Sequence, residues 1–355
     1  MSRTIYLSIF LVIITLTLTA ASLFVLNRLE VYFGLNLYFL AILPLLFPIG
    51  LILDKINSNK ITTKLYAYNW ILAGSILISW TVFLGIELFS LLFNFSNQVK
   101  GILAIIITAI TLTSSFISAE NIILKKITIP TNTKKPIKII QVSDIHLGTI
   151  HGKKFLDRVV KKINKTNSDY VFIIGDLFDG SGLVTKKTLS PLKKLTRKPY
   201  FVMGNHDFYS GQDNVSKKLE GLAIILRNQV VETKDLQIIG LDNPKTEKVK
   251  HLKIFEELGN KIHNKKPSIA LLHTPTAIES FKKTKCDIML SGHTHAGQIF
   301  PLNIIVKLTH KHIYGLYKIG LKYLNVSSGV GTAGPHMRLF TRSEIVQINL
   351  NPTKT

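Results

Sequence analysis

Four long apolar stretches near the start of the chain constrain its fold more than any other feature. They cover approximately residues 6–26, 31–53, 70–93 and 102–124. Each reaches the length of about 20 residues that a helix needs to cross a hydrocarbon core of about 30 Å. A cleaved signal peptide does not fit, because the first stretch is too long and three more follow it. The sequence therefore predicts an α-helical membrane domain of four transmembrane helices at residues 1–126.

Most of the charge lies beyond these stretches. Residues 1–126 hold eight of the 44 Lys and Arg residues and four of the 21 Asp and Glu residues, which leaves 36 basic and 17 acidic residues, a net charge of +19, for residues 127–355. Residues 127–138, basic and with two prolines, are typical of a linker to a globular domain at 139–355. This linker suits anionic lipid headgroups or a solvated spacer equally well. No nucleic-acid partner is predicted, since no DNA- or RNA-binding signature accompanies the basic residues.

The placement of Lys and Arg predicts the orientation. If the N-terminus is cytoplasmic, the segments on that side hold nine basic residues, and the outside loops hold two, Arg28 and Lys100. The positive-inside rule then favours a cytoplasmic N-terminus. An even number of spans places the globular domain in the cytoplasm as well, and the loss of one span would invert this conclusion.

Five short apolar runs in the globular half each end in polar residues. The runs alternate with amphipathic stretches, which predicts an α/β domain. Ligands of α/β folds bind at the carboxyl ends of strands, so five strand ends can converge on one site. The polar residues that follow the five runs are, in chain order, Asp144 and His146; Asp176 and Asp179; Asn205, His206 and Asp207; His273; and His293 and His295.

Besides Asp207, these clusters supply three carboxylates (Asp144, Asp176 and Asp179), one amide oxygen and five imidazoles. A mixed nitrogen and oxygen set suits Mn²⁺, Fe or Zn²⁺ rather than Ca²⁺ or Mg²⁺, which prefer oxygen alone. The set is too large for one ion, and two ions held a few Å apart need a bridging carboxylate. Such pairs activate water and stabilise both ends of a phosphoryl displacement. Each motif alone is a common polar turn, but together, in this order and after predicted strands, they predict a binuclear metal site.

The joint pattern closely resembles the calcineurin-like metallophosphoesterase superfamily over about residues 136–350. The resemblance implies a four-layered α/β/β/α sandwich and an enzyme, a metal-dependent hydrolase of phosphoric esters or anhydrides. It rests on Asp144-x-His146, Gly175-Asp176-x-x-Asp179, Gly204-Asn205-His206-Asp207, His273 and Gly292-His293-x-His295.

The resemblance also implies a role for each residue. Asp176 would bridge two metal ions, with Mn²⁺ expected and Fe or Zn²⁺ as alternatives. His206 would act as the general acid, with Asp207 tuning it, and Asp179 would be structural. The remaining ligands would form two groups, Asp144, His146 and His295 for the first ion, and Asn205, His273 and His293 for the second.

Two further segments resemble bacterial membrane-associated metallophosphoesterases, in some of which four spans precede the same domain. They are residues 296–301 and the Gly-rich segment 328–335 with the Arg338 that follows it. The Gly-rich loop could approach a phosphate through backbone N–H groups, and Arg338 could pair with a phosphate oxygen, although a turn with a surface arginine fits equally well. The implied location is the bacterial inner membrane, with a multi-pass anchor.

The sequence leaves the substrate open. A lipid-linked pyrophosphate such as UDP-2,3-diacylglucosamine would explain the membrane anchor, and a soluble nucleotide or other phosphodiester explains the motifs equally well. A transporter with a regulatory domain is disfavoured by spans with few polar residues, and a degenerate domain by the complete ligand set. Residues 302–317 fit either an interfacial segment that guides a lipid or a core hairpin. The single cysteine, Cys286, excludes an intramolecular disulfide, and the oligomeric state stays open.

Overall fold

The computed structural model describes residues 3–56, 59–181, 183–243, 248–263 and 265–353. The chain divides into two compact units. The first, called the helical unit here, comprises Met1–Ser118, Ile299–Pro301 and Gly334–Phe340. The second, called the α/β unit, comprises Ala119–Gln298, Leu302–Ala333 and Thr341–Thr355.

The helical unit is built from long apolar helices. They are α1 (Arg3–Phe33), a 3₁₀ helix (Tyr38–Leu45) that continues into α2 (Leu46–Ile56), α3 (Lys60–Ser90) and α4 (Asn97–Glu120). Within the described residues, three segments are long and apolar enough to cross a membrane, namely Ser8–Phe33, Ile61–Ser90 and Asn97–Glu120.

The second of the four spans predicted from the sequence, residues 31–53, is divided in the structure. Helix α1 continues to Phe33, and the apolar helix that follows, Tyr38–Leu53, falls short of the other three in length. Pro44 lies inside its 3₁₀ part. The break itself follows Gly34, whose φ of 71° ends α1 and whose N–H donates to the carbonyl of Glu30 at 2.7 Å. The described residues therefore give three helices of spanning length rather than four.

Helices α1 and α3 run parallel. In their first halves, Leu18 and Ala73 belong to one apolar cluster. Fourteen residues further along each helix, Tyr32 and Glu87 meet, and the Tyr32 hydroxyl donates a hydrogen bond of 2.9 Å to the Glu87 carboxylate. The ring of Tyr32 also stacks on Phe83, with centroids 6.2 Å apart.

The segment between these two helices runs back in the opposite direction. At its start, the Asn27 side chain near the end of α1 donates to the Tyr38 hydroxyl at 3.0 Å. Further on, Phe47 joins the cluster of Leu18 and Ala73 in the first halves of α1 and α3. The 3₁₀ helix and α2 thus return the chain from the end of α1 to the beginning of α3.

Two short segments from the C-terminal part of the sequence complete the helical unit. Ile299, Met337 and Leu339 form an apolar cluster with Ile78 of α3, and residues of α4 pack against it. The backbone N–H of Arg338 donates to the carbonyl of Ser115 in α4 at 2.9 Å. These contacts bury apolar side chains between the end of α4 and the middle of α3.

The α/β unit contains two six-stranded mixed sheets. The first sheet has the order β1 (Ile123–Thr131), β12 (Glu344–Pro352), β2 (Ile137–Val142), β3 (Tyr170–Ile174), β4 (Tyr200–Val202) and β5 (Ile224–Ile225). The second has the order β10 (Gly315–Ile319), β11 (Lys322–Val326), β9 (Ile288–Ser291), β8 (Ser268–Leu271), β7 (Gln237–Gly240) and β6 (Gln229–Glu232).

Helices connect these strands. They are α5 (Lys153–Asn164), α6 (Lys186–Leu189), α7 (Asn205–Tyr209), α8 (Gln212–Leu219), α9 (Lys248–Asn260), α10 (Ile278–Lys283) and α11 (Leu302–Thr309).

The side chains of each strand alternate between two apolar cores. In β3, Val171 and Ile173 join the core that the first sheet shares with α5, whereas Phe172 and Ile174 join the core between the two sheets. In β9, Met289 faces the core shared with α9 and α10. This two-residue alternation follows from strand geometry. The result is a layered arrangement of helices, sheet, sheet and helices, as the sequence predicts.

The linker predicted at residues 127–138 is wrong in its first part, because residues 123–131 form strand β1. This strand pairs in parallel with β12 and has no second neighbour, so it is an edge strand. Pro130 lies in it, which an edge strand tolerates because one side makes no ladder hydrogen bonds. The apolar stretch predicted to end at residue 124 is likewise helical only to Glu120.

Candidate metal centre

Each of the seven ligand residues predicted from the sequence follows a strand. The strands β2, β3 and β4 are parallel neighbours in one sheet, and β8 and β9 are parallel neighbours in the other. Their carboxyl ends therefore meet at common edges. The residues concerned are Asp144 and His146 after β2, Asp176 after β3, Asn205 after β4, His273 after β8, and His293 and His295 after β9.

Asp144, His146 and His295 form one candidate metal group. The Nε2 atoms of His146 and His295 lie 3.1 Å apart. The Oδ1 atom of Asp144 lies 3.5 Å from Nε2 of His295 and 4.0 Å from Nε2 of His146. All three side chains are buried.

Asp176, His273 and His293 form a second candidate group. Oδ2 of Asp176 lies 3.1 Å from Nε2 of His273 and 3.9 Å from Nε2 of His146 in the first group. The Asp176 carboxylate therefore lies between both groups, which is the position of the bridging ligand that the resemblance implies.

The donor atoms fit two divalent ions. Within the described residues, Oδ1 of Asn205 is buried and makes no hydrogen bond, and the buried Nε2 of His273 has the Asp176 carboxylate beside it, at 3.1 Å. Nδ1 of His273 lies 2.9 Å from the carbonyl of Ile174, which identifies Nδ1 as the donor and leaves Nε2 as the ligand atom. Buried polar atoms without partners are costly unless another group satisfies them. Imidazole nitrogens with carboxylate and amide oxygens suit Mn²⁺, Fe or Zn²⁺.

The backbone at the ligands is strained. Five of the seven ligand residues have left-handed backbone conformations, with φ of 56° at Asp144, 50° at His146, 51° at Asp176, 73° at His293 and 49° at His295. Each such residue costs about 1–2 kcal/mol relative to a right-handed or extended conformation. Strain of this kind concentrates at functional sites, because the surrounding structure must hold each side chain in one direction.

Two glycines let neighbouring strand ends approach the carboxylates. A Cβ atom at Gly204 would lie 2.2 Å from Oδ1 of Asp176, and one at Gly292 would lie 2.3 Å from Oδ2 of Asp144. Neither glycine has a positive φ, so close approach rather than turn geometry requires glycine at these positions.

The buried charges compensate one another. Burial raises the pKa of Asp144. Burial also opposes the ionisation of Asp176, but the neighbouring His273 outweighs this effect and holds the pKa of that carboxyl well below its usual range. Burial alone would lower the pKa of His273, and attraction to Asp176 instead raises it to about 10. Burial and repulsion from His273 lower the pKa of His293 to about 3. Because His273 must lose this proton to act as a ligand, metal affinity must fall as the pH falls.

His206 lies at the edge of this site. Its ring is edge-on to that of His146, with centroids 4.8 Å apart, and its backbone N–H donates to Asp176 at 2.8 Å. Its Nδ1 lies 2.8 Å from the carbonyl of Asp179, which fixes the ring and leaves Nε2 for other contacts. The side chain is partly exposed, unlike that of Asp176.

Asp207 supports the backbone around the site, and its predicted tuning of His206 stays a prediction. Its carboxylate is fully buried and accepts hydrogen bonds from three backbone N–H groups, those of Asp176 (2.7 Å), Gly204 (2.8 Å) and Phe178 (3.0 Å). It therefore ties the loop that carries Asp176 to the loop that carries Asn205. The carbonyl of Asp179, rather than Asp207, contacts the ring of His206.

The Gly-rich loop at 328–335 also differs from expectation. Its N–H groups are used within the α/β unit, since those of Val330 and Gly331 donate to the carbonyls of Ser143 and Asp144 at 3.0 and 2.8 Å. The loop thus supports Asp144 instead of presenting N–H groups to a phosphate. Arg338 is completely buried and belongs to the helical unit. Its predicted contact with a substrate phosphate stays a prediction.

Three residues near the site are not among the site residues predicted from the sequence. The ring of Tyr209 lies 5.3 Å from that of His206, and the ring of His310 lies 5.6 Å from that of His293. Gln141, buried in β2, donates to the carbonyl of Ser291 in the opposite sheet at 2.8 Å. A polar residue inside the apolar run of β2 was the available signal for Gln141. His310 gave none beyond its residue type.

We expect Asp176→Ala to reduce bound metal well below two ions per chain, because this carboxylate lies against both ligand groups. Metal content would be measured by inductively coupled plasma mass spectrometry on the full chain loaded with Mn²⁺. Asp213→Ala, which removes an exposed carboxylate of α8, is the matched control and should keep two ions. Two tightly bound ions in the Asp176→Ala protein would contradict the bridging position.

Asp207→Asn tests the structural role of that carboxylate. The amide cannot accept from all three N–H groups, so we expect metal affinity to fall about 10- to 100-fold, as it does when groups supporting metal ligands are lost. The pH dependence of turnover at saturating Mn²⁺ should keep its midpoint. A shifted midpoint with unchanged metal affinity would instead mean that Asp207 tunes His206.

Known proteins resemble this chain in the region that carries the ligands. A family model described as calcineurin-like phosphoesterase matches residues 137–297. An uncharacterized metallophosphoesterase of Campylobacter jejuni is 36% identical over 230 residues, which are 63% of this chain and 61% of that protein. A zebrafish (Danio rerio) protein named transmembrane protein with metallophosphoesterase domain is 32% identical over 237 residues, 60% of this chain and 53% of that protein.

A further uncharacterized metallophosphoesterase, from Aquifex aeolicus, is 28% identical over 247 residues, 66% of this chain and 92% of that protein. The chain spans about half to three-fifths of the length of the Campylobacter and zebrafish relatives. The matched residues 137–297 contain all seven ligand residues, from Asp144 to His295. The geometry and the family match thus concern the same side chains, and residues 137–297 form a calcineurin-like phosphoesterase domain.

Proposed function

We propose that this protein is a membrane-anchored enzyme that hydrolyses a phosphodiester or pyrophosphate bond at a centre of two divalent ions, with Mn²⁺ as the expected metal. The observation that carries the proposal is the convergence of strand ends from both sheets. Six of the predicted ligands fall into two groups that Asp176 joins, and Oδ1 of the seventh, Asn205, is buried without a hydrogen bond among the described residues.

The ligand residues contribute to the proposed hydrolysis by holding the two ions in fixed positions. Two divalent ions held by these ligands would supply an activated water and neutralise charge on the transferring phosphoryl group. The protein holds the ligands rigidly, since both oxygens of the Asp144 carboxylate lie 3.1 Å from the backbone N–H of His293 and accept from it. Rigid ligands lower the reorganisation that the transition state would otherwise require.

His206 is suited to protonate the leaving group. The carbonyl of Asp179 accepts from its Nδ1–H, so the ring keeps one orientation in both protonation states and Nε2 carries the transferable proton. Partial exposure of His206 gives a substrate access to Nε2. A general acid of this type contributes about 10²- to 10⁴-fold to the rate.

A basic cavity beside the site supports a substrate with a second anionic group. The cavity has a volume of about 270 Å³ and is lined by Lys282, His310 and Lys311 together with Glu279, which pairs with Lys282 at 2.8 Å. Its His310 lies against the ring of His293. The cavity could accept the second phosphate of a pyrophosphate such as UDP-2,3-diacylglucosamine, or that of a soluble nucleotide.

We further propose that the helical unit anchors the enzyme with four membrane crossings. The three helices of spanning length and the name of the zebrafish relative support a membrane location. Helices α1 and α3 are parallel, so if both cross the bilayer in the same direction, the segment 38–56 between them must cross back. A 3₁₀ helix rises about 2.0 Å per residue against 1.5 Å for an α-helix, which extends the reach of this short segment.

An even number of crossings supports a cytoplasmic catalytic domain at the bacterial inner membrane. Arg28 and Lys100, the two basic residues of the outside loops, both pair with Glu87, at 2.7 and 3.5 Å. The contrast of two basic residues with the nine on the other side is what supports this orientation.

The proposed reaction is tested with purified full-length protein in detergent. We expect Mn²⁺-dependent cleavage of bis-p-nitrophenyl phosphate and release of UMP from UDP-2,3-diacylglucosamine. Asp176→Ala should abolish both activities, and His206→Ala should lower turnover by about 10²-fold or more while most of the bound metal remains. Cleavage of the first compound alone would reject this lipid and favour a soluble phosphodiester. Equal loss of metal and turnover in His206→Ala would make His206 a ligand.

The topology is tested with alkaline phosphatase fusions in bacteria, because this reporter is active only outside the cytoplasm. A fusion after Asn94, between α3 and α4, should be active, and one after Thr355 should be inactive. Expression of both fusions is checked by immunoblot. The opposite pattern would contradict four crossings with a cytoplasmic N-terminus.

A further inference from the structure

The exposed apolar surface of the α/β unit is concentrated in one short segment. Among the described residues of this unit, eight large apolar side chains are exposed, and six of them lie within residues 302–316. The six are Leu302, Ile304, Ile305, Leu308, Tyr314 and Leu316; the other two are Tyr209 and Leu321. Single exposed apolar residues are ordinary, but a contiguous group marks an interaction surface.

Helix α11 forms the main part of this surface, and none of its eight residues is buried. The side chains of Ile304, Ile305 and Leu308 project from one side, since residues one and four apart lie within about 100° around a helix. They are 52%, 57% and 84% exposed. The alternative of a core hairpin is therefore wrong for α11, although β10 after it does join the second sheet.

The charge of the segment indicates which kind of partner its apolar side contacts. Residues 302–316 contain two lysines, Lys307 and Lys311, and no Asp or Glu. A short helix with an apolar side flanked by lysines is the pattern of segments that lie in the interface of an anionic bilayer. Each lysine near such a surface contributes about 1 kcal/mol to binding.

The chain connects this surface to the membrane anchor. Ile299 and Phe300, just before α11, pack in an apolar cluster of the helical unit with residues of α3 and α4. Those two helices are of spanning length. Leu302 follows Phe300 by two residues. If these helices anchor the chain in a membrane, the bilayer is the apolar surface nearest at hand for α11.

The same segment also leads to the metal centre. His310 directly follows α11, and its ring lies 5.6 Å from the ring of the ligand His293. Lys311 and His310 also line the basic cavity of about 270 Å³.

We propose that α11 inserts the side chains of Ile304, Ile305 and Leu308 into the headgroup boundary of an anionic bilayer, and so presents the metal centre to phosphoesters carried by membrane lipids. The lipid substrate rests on the proposed reaction above, whereas the insertion of α11 rests on the proposed membrane anchor and not on catalysis. The occupant of the exposed side of α11 is the membrane surface.

The test uses full-length protein in liposomes and one fluorescent probe at a time. Leu308→Cys in α11 and Leu321→Cys in the β10–β11 turn are labelled with an environment-sensitive NBD dye; these positions are 84% and 94% exposed in the native chain. The native Cys286 does not interfere, because it is completely buried and burial raises its thiol pKa to about 12. Liposomes contain phosphatidylcholine with or without phosphatidylglycerol, and brominated lipids serve as quenchers.

We expect the probe at 308 to emit at shorter wavelength and to be quenched by brominated lipids, more strongly with phosphatidylglycerol, and the probe at 321 to behave as in water. An unquenched probe at 308, or equal quenching at both positions, would overturn the proposal. Equal quenching with and without phosphatidylglycerol would overturn the part assigned to the lysines. The same readings are expected in an Asp176→Ala background, so this result does not depend on catalysis.

A triple variant tests the consequence for substrate access. Ile304→Ser, Ile305→Ser and Leu308→Ser together should leave turnover of soluble bis-p-nitrophenyl phosphate unchanged, since α11 has no buried side chain. Turnover of UDP-2,3-diacylglucosamine embedded in vesicles should fall about tenfold or more, since lost insertion weakens surface binding. Leu321→Ser is the control and should affect neither. Equal turnover of the embedded lipid in the triple variant would contradict a role of α11 in substrate access, whatever the fluorescence shows.

Discussion

The metal centre depends on a fixed relation between two sheets, because each sheet supplies part of the ligand set. Buried hydrogen bonds hold this relation. Gln141 in β2 donates to the carbonyl of Ser291 in β9 at 2.8 Å and accepts from Asn325 in β11 at 2.8 Å. Nδ1 of His273 donates to Ile174 at the end of β3 at 2.9 Å. In a low-dielectric interior such bonds are strong and directional. A sliding of one sheet past the other would break them and separate the two ligand groups.

The ligand residues themselves are held in energetically unfavourable conformations and surroundings. Five ligands have left-handed backbone conformations, and two carboxylates, Asp144 and Asp176, are buried close together. Supporting residues compensate these costs. Asp207 accepts three backbone N–H groups from the loops that carry Asp176 and Asn205. Divalent ions would compensate the remaining negative charge. The stability of the α/β unit and the occupancy of the metal centre are thus coupled, as they are wherever ions bind the folded state only.

The helical unit and the segment around α11 support the proposal that the reaction takes place at a membrane. Parallel α1 and α3 require a return by the segment 38–56, and the short apolar helix there provides it. The exposed side of α11 places apolar and basic residues next to His310 and so next to a metal ligand. The proposed action on substrates that a membrane concentrates rests on this arrangement.

The sequence by itself determined the composition of the site and the class of the fold. Strand ends followed by Asp, His and Asn side chains suffice for this, because period-2 alternation and the ligand chemistry of each residue type are local properties. Only the tertiary structure decided the role of Asp207, the support of Asp144 by the Gly-rich loop, the strand at 123–131 and the burial of Arg338. Each of these depends on which backbone groups and side chains lie opposite one another across elements distant in sequence, and no local pattern of residues encodes such a pairing.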